Sequence, residues 1–402
     1  MFKPNYAYFL AIAILGLAFA YRISTEQTQE IPRNQNIKLA ATVKKEPRIY
    51  GGQQIMEIGE AQIYLDLYPR YRVGDKVLLS GQVDSDGRIF RPQVEIIGRQ
   101  ESISSFFSSL RLNISQNIAS YLPSREATIV SGTVLGVDTI ERDFRDELVK
   151  TGTIHVVVVS GQNLMIVAGV FLALGRYFGR RWSLILATVA VFIYAFLTGF
   201  EPPVVRASLM VLASSLAIFA GRQTFPVWQL ILAALIILFL WPQAIFEVSF
   251  QLTFAATLGI MTLGRYLTKI FNFKFLILNL FADNAAIATS AYLFTAPIIL
   301  FYFGRISPLA PFANILVAEA VFPIMILGFL VSIVSLIFSP FAQVISYIAY
   351  VPAYYFVKVV EVFAKIPVEQ ISFGKGNVVV VFGFYVLLMV LMLVWTRKSY
   401  GK

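Results

Sequence analysis

Residues 151–175 read Thr-Gly-Thr-Ile-His-Val-Val-Val-Val-Ser-Gly-Gln-Asn-Leu-Met-Ile-Val-Ala-Gly-Val-Phe-Leu-Ala-Leu-Gly. The run is apolar enough and long enough to span a bilayer, yet it holds His155, the one histidine of the chain, and then Ser160, Gly161, Gln162 and Asn163 side by side at membrane depth. Unsatisfied polar groups in hydrocarbon are costly, so a span that carries such a cluster has a use for it. Read alone, the stretch is one transmembrane helix broken near its middle by the polar insert.

The composition around it sets the class. Of 402 residues, 57% are hydrophobic and 14% charged, and the mean hydropathy is +0.72. A soluble domain carries a charged share nearer a quarter, so this is a polytopic α-helical membrane protein. The net charge of +10 belongs first to cytoplasmic loops, where Lys and Arg set orientation, and does not by itself argue for nucleic acid. With no cysteine and one histidine, a thiolate site or a hydrolytic zinc centre is excluded, and no metal or cofactor is expected.

Ahead of that stretch, residues 6–23 make a first helix, either retained or cleaved after Ala18-Phe19-Ala20, and both readings export the segment after it. From 31 to 100 the period turns to two. Runs at 36–43, 53–58, 61–66, 76–83 and 88–97, separated by Gly-Gly, Gly-Glu, Gly-Asp and Asp-Gly turns, predict five strands and a small closed barrel, most economically an OB-fold. Such barrels bind single strands by aromatic stacking and a basic groove. Here Tyr50, Tyr64, Tyr68, Tyr71 and Phe90 offer rings, and Arg70, Arg72, Arg88 and Arg91 offer phosphate partners. Acidic residues, among them Glu57, Glu60, Asp66, Asp75, Asp84, Asp86 and Glu95, nearly cancel the basic ones, so a generic exported barrel stays open as the alternative. Residues 101–150 come next as a surface segment. An amphipathic helix over 101–122 (Ile103, Phe106, Phe107, Leu110, Ile114, Ile118) lies on the membrane face, and a charged helix is capped by Asp138.

Residues 151–402 complete the membrane domain. Spans at 182–200, 204–220, 225–241, 249–263, 284–303, 309–338, 341–362 and 378–395 bring the total to about ten. With that count, Arg176, Arg180, Arg181, Arg222, Arg265, Lys269, Lys274, Arg397, Lys398 and Lys402 share one side, which is cytoplasmic. Both termini then face the cytoplasm and the barrel faces out, in a multi-pass protein of the bacterial cell membrane. The 309–338 run, with Pro311, Asn314, Glu319 and Pro323, reads as broken or re-entrant.

Further polar groups sit at depth. Arg206 comes after Pro202-Pro203 and either snorkels to the outer surface or faces a partner; Gln251 lies inside the sixth span; Pro297 kinks the seventh; Asn314 and Glu319 occupy the eighth. Together they describe a polar interior. Catalysis fits poorly, because Ser160 and His155 are five residues and about 140° apart round a helix, so base and nucleophile do not meet.

The ordered motifs Leu135-Gly136-Val137-Asp138, Thr151-Gly152-Thr153-Ile154-His155 with Val159-Ser160-Gly161-Gln162-Asn163, Leu197-Thr198-Gly199 through Pro203-Val204-Val205-Arg206-Ala207-Ser208-Leu209-Met210, Phe250-Gln251-Leu252-Thr253-Phe254-Ala255, and Asn314-Ile315-Leu316-Val317 resemble the ComEC competence proteins. That resemblance implies an exported OB-like domain before a multi-helix competence domain, and a channel that imports single-stranded DNA in natural transformation. It implies that His155, Ser160, Gly161, Gln162, Asn163, Arg206, Gln251, Asn314 and Glu319 line or support the path, with no catalytic residue. No Gly-x-x-x-x-Gly-Lys-Ser/Thr loop occurs, so a cytoplasmic DNA-translocating ATPase or helicase is an expected partner, beside membrane lipid. The family commonly has a second histidine where this chain has Asn163. Many members continue into a metallo-β-lactamase-like domain; here the sequence reaches Lys402 straight after its last helix, so a separate nuclease is expected. A homo-oligomer is one arrangement of the passage. Two other classes share the scaffold: a small-molecule or lipid-precursor transporter, and a non-catalytic envelope scaffold.

Overall fold

A computed structural model of the chain describes residues 35–400 except 51–52, 60, 86, 220–225, 271–275 and 373. The helix expected at 6–23, together with Arg222, Lys274 and Lys402, lies outside these residues.

Among the described residues the period-two region folds as seven strands rather than five: β1 Asn36–Thr42, β2 Arg48–Tyr50, β3 Gln53–Ile58, β4 Ala61–Asp66, β5 Asp75–Gln82, β6 Arg88–Phe90 and β7 Gln93–Arg99. One sheet runs β1-β5-β7, the other β2-β3-β4-β6, and β4 and β6 pair in parallel. The run expected as a single strand over 88–97 divides because Pro92 has no N–H to give a ladder and Arg91 before it turns left-handed, at φ 46°. Alternation selects the core: Ala61, Ile63 and Leu65 of β4 and Val77 and Leu79 of β5 point in, joined by Val43, Met56, Val83 and Ile89. Each Val, Ile, Leu or Met side chain among them contributes about 1.5–3 kcal/mol by leaving water.

A reciprocal cap, in which the Ser105 amide donates to Ser102 Oγ and the Ser102 amide to Ser105 Oγ, starts α1, Ile103–Tyr121. Its buried side is Ser105, Ser108, Arg111 and Ser115 with Ile114 and Ile118, whereas Ile103 and Phe106 stand outside. Small serines let the helix approach its neighbours closely, and the apolar residues are left for an apolar surrounding. Next, α2, Ser124–Leu135, lies within the region read as a surface segment, yet every residue from Glu126 to Leu135 is buried. Helices on several sides enclose it, so it is the hub of the helical core.

The charged helix α3, Arg142–Thr151, begins later than expected. Glu141, not Asp138, sits at its N-cap, because the Asp138 carboxylate is taken by Arg145, 2.5 Å away. The opening stretch is likewise not one helix. A single turn, α4 Ile154–Val157, gives way to extended backbone at Val158 and Ser160, and α5, Gly161–Ala173, restarts with Ser160 as its cap. The cause is partly local, a run of four β-branched valines, and partly tertiary. A Cβ at Gly132 of α2 would lie 2.4 Å from the Val157 carbonyl oxygen, so only glycine admits the extended chain there.

Beyond α5 come α6 Gly175–Phe178, α7 Arg180–Leu197, α8 Pro202–Phe219, α9 Pro226–Leu240, α10 Val248–Gly259, α11 Arg265–Ile270, α12 Leu276–Phe303, α13 Ala310–Ser335, α14 Ser339–Lys365 and α15 Val378–Tyr400. Among the described residues five helices are long and apolar enough to cross a membrane: Arg180–Leu197, Pro202–Phe219, Ala282–Phe303, Ala310–Ser335 and Ser339–Lys365. The segments Gly161–Ala173, Pro226–Leu240, Val248–Gly264 and Val378–Val390 are apolar but shorter. The expected break in the eighth span is absent: α13 runs unbroken through Pro323. A proline removes one backbone donor, and burial of Val317, Ala320, Val321, Ile324 and Met325 around it holds the helix together.

Candidate functional site

The polar insert of the opening stretch organises the start of α5. Ser160 Oγ accepts from the Asn163 amide (3.4 Å) and donates to Asn163 Oδ1 (3.0 Å), while Asn163 Nδ2 donates to the Thr133 carbonyl of α2 (2.9 Å). Asn163 is thus fully inside, tying α5 to the hub, and Gln162 next to it is exposed. His155 is exposed on α4, and no hydrogen bond joins it to Ser160.

Arg206 reaches the same place from α8. Its residue exposure is 9%, and a Cβ on Gly161 would lie 2.8 Å from its Nη2, so the guanidinium rests against the first residue of α5. Nη1 donates to Thr257 Oγ1 of α10, the Phe254 ring centroid is 5.9 Å from Cζ, and buried Nε has no partner among the described residues. Among the described residues no carboxylate pairs with it. The side chain does not snorkel, since a snorkelling arginine ends in water and this one ends on Thr257 and Gly161.

The other expected path residues are placed elsewhere. Gln251 shares α10 with Thr257 but donates to the Ile245 carbonyl (2.9 Å), closing the turn before its own helix. Asn314 Nδ2 donates weakly to the Gly152 carbonyl (3.4 Å) where α3 ends on α13, and its Oδ1 is buried without a partner among the described residues. Glu319 accepts from Asn284 Nδ2 of α12 (2.6 Å). So Ser160, Gly161, Asn163 and Arg206 are gathered, whereas Gln251, Asn314 and Glu319 join separate helix contacts. Thr133, through its main-chain carbonyl, and Thr257, through its hydroxyl, hold the cluster and are absent from the expected set, because a carbonyl belongs to every residue and a threonine in an apolar helix carries no signal of the group it faces.

A second pair outside the expected set links the two parts of the molecule. Arg111 of α1 is ion-paired with Glu46, between β1 and β2, with side-chain exposures of 8% and 22%. Its Nη1 also lies against Gly199 in the turn between α7 and α8, and Phe107 stacks on Phe196 at 5.6 Å.

On the β domain the outward positions of β4 and β6 meet through their parallel register, Gln62 opposite Arg88 and Tyr64 opposite Phe90. Tyr64 and Phe90 stack at 4.8 Å. Arg91 faces Asp66 at 3.5 Å, an exposed pair of small worth. Tyr68 is 70% exposed with the Arg70 guanidinium 5.7 Å over its ring, and Arg72 is exposed beyond. Tyr71, by contrast, is core. Burial, reinforced by the nearby Asp75 carboxylate, holds its phenol above the ordinary tyrosine range and therefore neutral. The loop carrying Tyr68 and Arg70 hangs on one buried amide: Gln54 Nε2 donates to the carbonyls of Asp66 (2.9 Å), Leu67 (3.0 Å) and Pro69 (2.8 Å), and Gln54 Oε1 accepts from the Tyr71 amide (3.2 Å). Gln54→Leu is expected to destabilise the β domain by about 2–3 kcal/mol, since buried acceptors lose their donor. Denaturant unfolding of the full chain measures this, and an unchanged midpoint would show that the amide does not hold the loop.

A family model described as "Competence protein" matches residues 134–398, from the last turn of α2 into α15, and so takes in both the broken span and Arg206. The chain belongs to the competence protein family. The resemblance read from the ordered motifs is therefore borne out. ComE operon protein 3 of Bacillus subtilis (strain 168) is 25% identical over 309 residues, 73% of this chain and 38% of that protein. An uncharacterized protein of Aquifex aeolicus (strain VF5) is 37% identical over 112 residues, 28% of this chain and 26% of that protein. The chain thus aligns with well under half the length of these relatives. No solved structure is significantly similar. Membership of this family and the long apolar helices make the chain a membrane protein of the competence type. The β domain and α1 precede the matched region.

Proposed function

We propose that this chain is the membrane channel through which single-stranded DNA enters a bacterial cell in natural transformation. The observation that carries the reading is Arg206, a buried cation with no carboxylate partner among the described residues, beside the broken span at Ser160–Asn163. A polyanion supplies the missing charge, and a path poor in carboxylates does not repel it. In this reading the path is lined by His155, Gly161, Gln162 and Arg206 and supported by Ser160, Asn163, Gln251, Asn314 and Glu319. About ten helices, counting the shorter apolar segments and the N-terminal one, form the domain, and both termini face the cytoplasm.

The β domain is read as an exported OB-type barrel. Taking β1 with β2 and β6 with β7 as two bent strands turns the observed pairings into five strands with one parallel contact, as a closed Greek-key barrel requires. Tyr64, Phe90, Tyr68, Arg70, Arg72, Arg88 and Arg91 then receive the strand before it reaches the membrane. An ATPase or helicase on the cytoplasmic side supplies the work and a separate nuclease supplies the single strand; the pore lies within one subunit or between copies.

The deciding experiment is deletion in the native host followed by a transformation assay. Loss of transformants, restored by the gene in trans, is the expected result, and unchanged transformation ends the proposal. The full chain in lipid nanodiscs is further expected to bind an oligothymidylate with an affinity that falls as salt rises. Tyr68→Ala with Arg70→Ala weakens that binding by about tenfold to a hundredfold, one stacking contact and one phosphate contact being lost. Equal affinity in the double variant removes the β domain from the path.

A further inference from the structure

We infer that the N-terminus of α5 and the Arg206 guanidinium form a seat for a single phosphodiester group. The inference rests on the channel reading and names the group that one point of the path recognises.

The start of α5 has donors to spare. Ser160 Oγ satisfies the Asn163 amide and the Ser160 carbonyl the Leu164 amide, but the amides of Gly161 and Gln162 bond no acceptor among the described residues. The partial positive charge of a 13-residue helix gathers on those groups. A helix end alone would not make a site. Here a second group converges on it: the Arg206 side chain, nine-tenths buried, comes to rest against Gly161, with Nε buried and unpartnered among the described residues. Thr257 takes one of its hydrogens and in turn donates to the Thr253 carbonyl (2.9 Å), so the planar fork is held in place by its neighbours. Gly161 is required by contact. Any Cβ there would also meet Ala207 Cβ at 3.4 Å and the Pro203 carbonyl oxygen at 3.7 Å, so the glycine leaves room for the fork beside the helix end.

Charge selects the ligand class. One guanidinium and one helix terminus offset about one and a half unit charges. A phosphodiester carries one negative charge and two free oxygens, which fit one fork and one pair of amides. A phosphomonoester dianion leaves charge uncompensated in a dry site. Exposed Gln162 marks the open side, from which a strand presents one phosphate at a time.

Two probes on the full chain in nanodiscs test the seat and separate it from the channel reading. The first is dimethyl phosphate, a monoanionic phosphodiester, scored as a thermal shift against chloride at equal ionic strength. The second is oligothymidylate binding over a salt series. Dimethyl phosphate is expected to raise the melting temperature of the wild type and not of Arg206→Gln. Arg206→Gln is also expected to lower the slope of log affinity against log salt by about 0.7, the contribution of one phosphate contact on a single strand. Arg206→Lys, which keeps the charge but loses the fork, recovers the slope but not the affinity. Gly161→Ala retains charge and helix and displaces the guanidinium, so it weakens both readouts and carries the test should Arg206→Gln fail to fold. An equal dimethyl phosphate shift in wild type and both Arg206→Gln and Gly161→Ala, with the salt slope unchanged, overturns the seat while leaving DNA binding intact. An Arg206-dependent dimethyl phosphate shift without oligonucleotide binding supports the seat and ends the channel reading. Absence of both responses in the wild type ends both.

Discussion

Cells carrying Arg206→Gln are expected to internalise about ten to a hundred times less DNA while accumulating the protein at the normal level. The loss corresponds to a charge-assisted hydrogen bond to the passing strand, worth roughly 1.5–3 kcal/mol. The undiminished abundance comes from the same geometry. Among the described residues Arg206 has no counter-ion, and its Nε is unsatisfied, so the free protein carries the cost of a buried charge. Glutamine removes that cost, and the purified variant melts at the same or a higher temperature. Such a trade of stability for activity belongs to a site that waits for its ligand. Uptake of labelled DNA, with an immunoblot of membranes, reads both halves. Normal uptake, or a loss explained by missing protein, removes Arg206 from the path.

Glu46→Gln is expected to have the opposite character, a large loss of stability. It leaves the Arg111 guanidinium inside the joint between β domain and helices, with its Nε already without a partner among the described residues. Breaking a buried pair from one side costs about 3–5 kcal/mol. Removing both charges, as in Glu46→Met with Arg111→Met, is expected to restore most of it, because the desolvation cost goes with the pair. Thermal unfolding in nanodiscs compares the variants. A Glu46→Gln midpoint equal to the wild type would show that the pair does not join the two parts.

The residues that are legible in the chain are those whose partners are near in it. The alternation of Ala61 to Asp66 marks β4 with its bounds, because inward and outward faces differ within six residues. The divided end, β6 and β7, turns on one left-handed residue before Pro92, which alternation does not register. α1 departs from the usual rule in part: its serines and Arg111 face in with Ile114 and Ile118, while Ile103 and Phe106 face out, so polarity alone does not mark its inner face. The break at Val158–Ser160 is visible as polarity, but its position depends on Gly132 and on the close approach of the hub helix that carries it. Arg206 stands out as a charge at depth. Thr257, 51 residues on, and Glu46, 65 residues before Arg111, do not, because ordinary polar residues become site residues only through contacts that the fold creates.

The amide of Gln54 fixes the loop after β4 through main-chain groups alone, three carbonyls and the Tyr71 N–H. The identities of the side chains at Tyr68 and Arg70 are thereby free of any duty to the fold. What the two side chains are is set by what the loop meets, and a fluorescent label substituted at either position should leave the domain's architecture undisturbed.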